Sequence, residues 1–313
     1  MRFFKMIAVM AMMFCLSVSS SAFAAETDMQ DFRNAYLQGM SNATGYHLEL
    51  MFQGPTFHSN TIADGLVRKD GSAVMAGNLN WAYTNMDNGQ TQQKDMPFYA
   101  ERSGNAVTLY GQREGVWQRE NILGNLSWIL DAAASEDRDT KMQYAAAVTD
   151  VKTTEIGNGQ QRMQITFDGK ALAAVQDKAV RNRIASMSEA DGKAAMASVN
   201  YLNAALAENN PQCVWTIDKA TGKTVMLTAD LTEIMRSYAK AVLQDSYQGI
   251  ITLTEEDTQF LASLGYYYNL QVYLTQDDKA ANRAVIPAAV KNSAKEANIF
   301  ADIKSEIISA VKK

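Results

Sequence analysis

Ser237-Tyr238-Ala239-Lys240 is the stretch of this chain with the clearest chemical potential. It has the S-x-x-K form in which a lysine one helical turn away activates a serine for acyl transfer. Ser103-Gly104-Asn105 and Lys223-Thr224-Val225 echo the other two elements of such sites, but their order is wrong and the last glycine is missing. A serine hydrolase built on Ser237 and Lys240 is therefore an alternative without its supporting parts. Gly222-Lys223-Thr224 ends like a phosphate loop, yet Ile217 stands where the first glycine belongs. Asn85-Met86-Asp87 opens like a calcium loop, but Asn88 replaces the turn glycine and Lys94 the bidentate glutamate. After an expected leader is removed, His47 and His58 are all the histidine there is, too little for a triad or a His-based metal site. No residue is assigned a catalytic or metal-binding role, no cofactor is expected, and the chain reads as a non-enzyme.

Composition narrows the choice further. Met1 to Ala24 carries a basic head (Arg2, Lys5), an apolar run from Met6 to Val18 and an Ala22-Phe23-Ala24 cleavage site. That run is roughly a dozen residues, short of the about 20 that span a bilayer, so it reads as a removable export signal and the mature chain as soluble. Met13-Phe14 precede Cys15, where a lipid-modification site wants small residues. The 29 Lys and Arg fall to 27 without Arg2 and Lys5, against 34 Asp and Glu, a net charge of −7. Such a chain has no basic patch for nucleic acid. Of 2 cysteines only Cys213 outlasts the leader, so no internal disulfide forms and the core must hold the fold. Cys213 lies in an apolar strand and reads as a small buried residue.

The elements that would position any site are mostly strands. Tyr46, Leu48, Leu50 and Phe52 alternate with His47, Glu49, Met51 and Gln53. Met75, Gly77, Leu79, Trp81 and Tyr83 alternate with polar or small residues, and Tyr266, Tyr268, Leu270, Val272 and Leu274 do so late in the chain. Hairpin turns are expected at Lys69-Asp70-Gly71-Ser72, Ser103-Gly104-Asn105, Arg113-Glu114-Gly115, Gly157-Asn158-Gly159 and Ala220-Thr221-Gly222. A polar loop is expected from Asp87 through Lys94. Helices are expected at Glu26–Asn42, Asn121–Ala134, Ala171–Ala207 (broken near Ala190-Asp191-Gly192), from Thr232, after a Thr254/Asp257 cap, and from Ala288 to Lys312. The sum is an α+β fold: one large curled antiparallel sheet of about eleven strands, an unclosed β-barrel, with helices on its concave face.

Three groups of stretches stand out along this order of elements. They are Pro97-Phe98-Tyr99-Ala100-Glu101 with Thr108-Leu109-Tyr110 and Gly115-Val116-Trp117; Ile217-Asp218-Lys219-Ala220-Thr221-Gly222-Lys223 with Ala229-Asp230-Leu231-Thr232; and Val285-Ile286-Pro287-Ala288-Ala289-Val290. With the order of elements, they resemble the LolA-like fold, an unclosed barrel capped by helices that includes periplasmic lipoprotein carriers and LppX-type lipid carriers. The resemblance covers the mature chain, residues 25–313, as a single half-barrel domain after a leader at 1–24. It implies a hydrophobic cavity that shields an acyl chain, and a periplasmic location where the host has an outer membrane. Its Gram-negative carriers control closure with an arginine, which no arginine here matches.

A sheet this wide has more apolar face than a few helices cover, and 12 of the 17 methionines remain to line an adaptable space after the leader is removed. The expected function is an exported, non-enzymatic carrier or chaperone that holds a lipid, a lipoprotein acyl chain or another hydrophobic molecule. Leu48, Leu50, Phe52, Leu79, Trp81, Tyr83, Tyr268 and Leu270 are the expected lining, although each taken singly also suits a core under a helix. The second expectation is an envelope interaction or sensor module that pairs with a protein partner at an open sheet edge.

Overall fold

The computed structural model describes residues 28, 44–54, 57–68, 72–84, 88–103, 106–121, 143, 145–184, 189–264 and 269–311. The expected leader, the expected helix at Glu26–Asn42 apart from Asp28, and the helix expected at Asn121–Ala134 apart from Asn121 lie outside them.

Two meanders make one 12-stranded sheet. The first is β1 (Thr44–Gln53), β2 (Phe57–Val67), β3 (Ala73–Thr84), β4 (Thr91–Ser103), β5 (Ala106–Arg113) and β6 (Val116–Asn121). The second is β7 (Val148–Gly157), β8 (Gln160–Phe167), β9 (Gln212–Asp218), β10 (Thr224–Asp230) and β11 (Asn269–Gln276). They join where β11 pairs antiparallel with β1. The two-residue β12 (Lys295–Glu296) adds to β6 in parallel, which makes the sheet mixed, with β12 and β7 as its two edges. The sheet is curled and unclosed. Two hairpins close with successive positive φ, at Glu114-Gly115 (51° and 76°) and Asn158-Gly159 (53° and 73°), the geometry that follows the twist of the strands.

Seven helices are found among the described residues: α1 (Gly169–Ile184), α2 (Glu189–Glu208), α3 (Thr232–Tyr247), α4 (Glu255–Leu264), α5 (Ala280–Arg283), α6 (Ala288–Ser293) and α7 (Ile299–Val311). Their starts are chemically explicit. Asp168 Oδ1 accepts from the N–H groups of Lys170 and Ala171 at 2.8 and 3.0 Å, capping α1. The expected cap of α4 is present, with the Asp257 N–H donating to Thr254 Oγ1 at 3.1 Å. Thr232 opens α3 as expected; its hydroxyl also accepts from the Leu270 N–H at 3.0 Å, tying the helix to β11.

Three expectations are corrected. Thr91 to Lys94 is strand, not loop: it continues the β3–β4 hairpin, Thr84 opposite Thr91. Helix α2 runs through Ala190-Asp191-Gly192, the position expected for the break in the helical pair. The single helix expected over Ala288–Lys312 is α6, then β12, then α7. This segment wraps the β6 edge. Lys291 of α6 reaches Glu101 on the outer face, β12 pairs with Gln118 and Arg119, and Ile299 and Ile303 of α7 enter the core on the inner face. The wrap hides a strand edge that would otherwise invite pairing with other chains. Helices α1, α2, α3, α4 and α7 supply residues to the inner-face core, whereas α5 and α6 sit on the outer face, an exception to helices on the concave side alone.

On the outer face α5 is held by charge. Arg283 Nε donates to Asp64 Oδ2 at 2.6 Å and Arg283 Nη2 to Asp277 at 2.7 Å, and His47 Nδ1 lies 3.0 Å from Asp64 Oδ1. The Arg283 hydrogen bond lowers the Asp64 pKa below the ordinary aspartate value, with His47 helping. A depressed folded pKa lends stability that is present above the unfolded aspartate pKa and lost as pH falls through the folded value. Arg283→Met is therefore expected to reduce stability at neutral pH and to flatten its acid-side decline. Urea midpoints from neutral pH down to about pH 3 check this; an unchanged pH profile would refute it.

Candidate functional site: the inner face of the sheet

Register builds the site. From β5 to β7, one rung crosses Gly111, Phe98, Gly77, Ala63, Leu48, Leu274, Leu227, Trp215, Met163 and Thr153. Because side chains alternate faces, every residue of this rung points to the same side. A second rung, from β4 to β7, crosses Met96, Leu79, Thr61, Leu50, Val272, Ala229, Cys213, Ile165 and Val151. The inner face is thus apolar almost from edge to edge.

Coverage of that face is uneven. Over the second meander, Met163, Ile165, Trp215, Leu227 and Leu270 are at most 2% exposed under α1 to α4. Over β4 and β5, Met96 is 1% exposed, and a side chain at Gly111 would reach Ile299 of α7. Near one end of β1 to β4 lies a third rung: Ala100 of β4, Met75 of β3, Gly65 of β2 and Tyr46 of β1. All four are only partly buried, as are Gly77 one rung away and Leu79 and Thr61 two rungs away, and Tyr46, Met75, Leu79 and Ala100 pack against the core while remaining partly open. Together these positions form a partly open strip, here called the trough, with a mainly apolar floor and small residues along β2.

The floor has a built asymmetry at its glycines. A Cβ placed on Gly77 would stand 2.3 Å from the Ile62 carbonyl oxygen and 2.8 Å from Ala63 Cα, both backbone atoms that cannot move aside. Gly77→Ala is expected to cost about 1–3 kcal/mol or more by overpacking, read as a lower urea midpoint; a neutral result would mean that β2 does not press on Gly77. At Gly65 the nearest atoms to such a Cβ are at 3.6 and 4.0 Å, ordinary contact.

Charge is confined to the rim. Lys94 Nζ lies 2.7 Å from Glu306 Oε1, and Arg113 Nη2 donates to Glu306 Oε2 at 2.8 Å, tying β4 and β5 to α7. The Glu306 contact raises the Lys94 pKa. Burial raises the Tyr83 phenol, whose hydroxyl donates to Gln92 Oε1 at 2.7 Å. At the other end of β4 the inner face finishes at Arg102, 9% exposed.

The expected lining residues divide accordingly. Leu48, Leu50, Phe52, Trp81, Tyr83 and Leu270 are buried members of the core; Leu79 is partly open at the trough; Tyr268 lies outside the described residues. Tyr46, Met75, Gly65 and Ala100 were not among the expected lining, though Tyr46 and Met75 share the faces of residues that were.

The chemical echoes resolve into structure. Ser237 Oγ accepts from Asn209 Nδ2 at 3.0 Å, joining α3 to the end of α2, and Lys240 is exposed. Gly222-Lys223-Thr224 lies in the β9–β10 turn, where Asp218 Oδ1 accepts from the Thr221 N–H and hydroxyl at 2.8 and 2.7 Å. Lys94 belongs to β4 and His47 to the outer face. Cys213 is buried, as expected. Among the described residues no group of His, Cys, Asp or Glu is arranged to hold a metal, and no helix is long and apolar enough to cross a membrane.

No known family profile matches the sequence, and no curated protein is similar to it. Among solved structures the chain is similar to LprF from Mycobacterium bovis, at 12% identity and a TM-score of 0.38 over 80% of this chain and 93% of that one. The functional reading therefore rests on the inner face itself.

Proposed function

We propose that this chain is an exported, non-enzymatic carrier or chaperone that holds the acyl chain of a lipid or lipoprotein in the trough between the sheet and its helices. The observation that supports it most is the partly open rung Ala100–Met75–Gly65–Tyr46, continued along β3 by partly open Gly77 and Leu79, on an inner face that is buried under the helices over the second meander. Large apolar side chains contribute roughly 1.5–3 kcal/mol each when fully buried. A row that forgoes part of this, with room for a Cβ at Gly65, suits a removable apolar ligand. An unbranched chain fits best, because the partly open positions Met75, Gly77 and Leu79 follow one strand in a line, with the small residues Gly65 and Thr61 of β2 beside Met75 and Leu79.

The test is to purify the full chain from its own host and analyse it by native mass spectrometry and solvent extraction. The expected result is an acyl-bearing molecule bound in simple stoichiometry. Protein that is consistently empty, and that fails to take up fatty-acyl probes, would overturn the proposal.

A further inference from the structure

Two tryptophans occupy equivalent settings on the inner face. Trp215 of β9 is 2% exposed and Trp81 of β3 is 3% exposed. The Trp215 Nε1–H donates to Thr224 Oγ1 at 2.9 Å. The Trp81 Nε1–H is buried and has no hydrogen-bond partner among the described residues. A buried N–H without an acceptor is costly, and an indole so placed asks what supplies the acceptor.

The surroundings restrict the answer. Trp81, Leu79, Gly77 and Met75 share a face of one strand, and Trp81 stands buried at the end of the partly open line that the other three make. From Trp81 to Met75 is about 20 Å at the rise of a strand, the length of a long fatty-acyl chain. The cross-strand neighbour of Trp81 on β4 is Lys94, already engaged by Glu306. The rim cation is thus paired, while the indole beside it is a neutral donor suited to a neutral acceptor.

Building on the trough reading above, we infer that Trp81 selects the head of the ligand. Its indole N–H donates to the carbonyl oxygen of a fatty-acyl ester or amide, and the chain runs from there past Leu79 towards Met75. The ligand class is an acyl compound, not a plain hydrocarbon.

The experiment compares the full chain with Trp81→Phe, which keeps an aromatic ring and removes the donor. The probes are methyl decanoate, N-methyl decanamide and undecane, with affinities read by displacement of anilinonaphthalene sulfonate. The ester and amide arms also separate lipid-type from N-acyl-protein-type heads. Loss of one hydrogen bond predicts about tenfold weaker binding of ester, amide or both, with undecane unchanged within about twofold. Independently of that variant's folding, the Trp81 indole N–H resonance of the wild-type chain should move downfield with the ester and stay in place with undecane. Equal loss for all three probes, or no loss with no movement of that resonance, overturns the role of Trp81 and leaves the trough intact. If the wild-type chain binds none of the three, the trough reading fails and this inference fails with it.

Discussion

Gly65→Phe is expected to abolish acyl binding while leaving the sheet as stable as before. Gly65 lies on the inner face of β2, in the partly open rung between Met75 and Tyr46. A Cβ there meets nothing closer than 3.6 Å, so the backbone accepts a side chain. Phenylalanine favours a strand by its β propensity, and loss of the glycine removes chain entropy from the unfolded state, so folding gains up to about 1 kcal/mol. The ring then has only the trough to enter, where it displaces several methylenes of any ligand at about 0.8 kcal/mol each. Affinity for fatty-acyl probes should fall at least about a hundredfold, the equivalent of about 2.8 kcal/mol, with the urea midpoint unchanged or raised. Gly77 supplies the internal contrast: it sits one rung away, and alanine there strains the backbone without filling the trough. Binding that survives Gly65→Phe would place the ligand elsewhere or remove it from the account.

The parts of this fold that were readable are those where one face is buried and the other solvated. Leu48, Leu50 and Phe52 alternate against His47, Glu49 and Met51, and the inward set is the buried one. Hairpin turns were readable because Glu114-Gly115 and Asn158-Gly159 tolerate the left-handed backbone that such turns require. Thr91 to Lys94 was not, because all four residues are exposed and polar; their pairing is dictated by β3, and strand alternation carries no signal where neither face is buried. The end of the chain was misread for a related reason. Ala288 to Lys312 has helical composition throughout, but Lys295 and Glu296 pair with Gln118 and Arg119, and the Ala297 N–H donates to the Arg119 carbonyl at 3.0 Å. That interruption is a tertiary contact with a strand 177 residues earlier, seen also in the Arg119–Glu296 ion pair. The trough had the same obscurity. Met75 and Trp81 share one pattern, and only the positions taken by the helices leave one partly open and bury the other.

Ile299→Ala is expected to loosen the wrapped C-terminal segment without disturbing the second meander. Ile299 is fully buried at 0% exposure and stands where a side chain on Gly111 would meet it, beside Met96. Cutting it to alanine leaves a cavity and costs about 2–5 kcal/mol. That should lower the melting temperature by roughly 5–15 °C for a chain of this size. The loss is local because α7 is otherwise held by contacts at its rim and start: Glu306 to Lys94 and Arg113, and the Phe300 N–H donating to Glu120 Oε2 at 3.2 Å. Once α7 lifts, β12 is held on β6 only by its two ladder residues, the Ala297 N–H bond and the exposed Arg119–Glu296 pair, and its release opens the β6 edge to pairing with other chains. Hydrogen exchange should show faster exchange at the amides of Ala297 and of α7 under native conditions, with Met163, Ile165 and Trp215 as protected as before. Concentration-dependent association should accompany it. Uniform loss of protection across both meanders would mean that the wrapped segment is an inseparable part of the core, and the covered sector over β4 and β5 could not then open separately from the rest of the sheet.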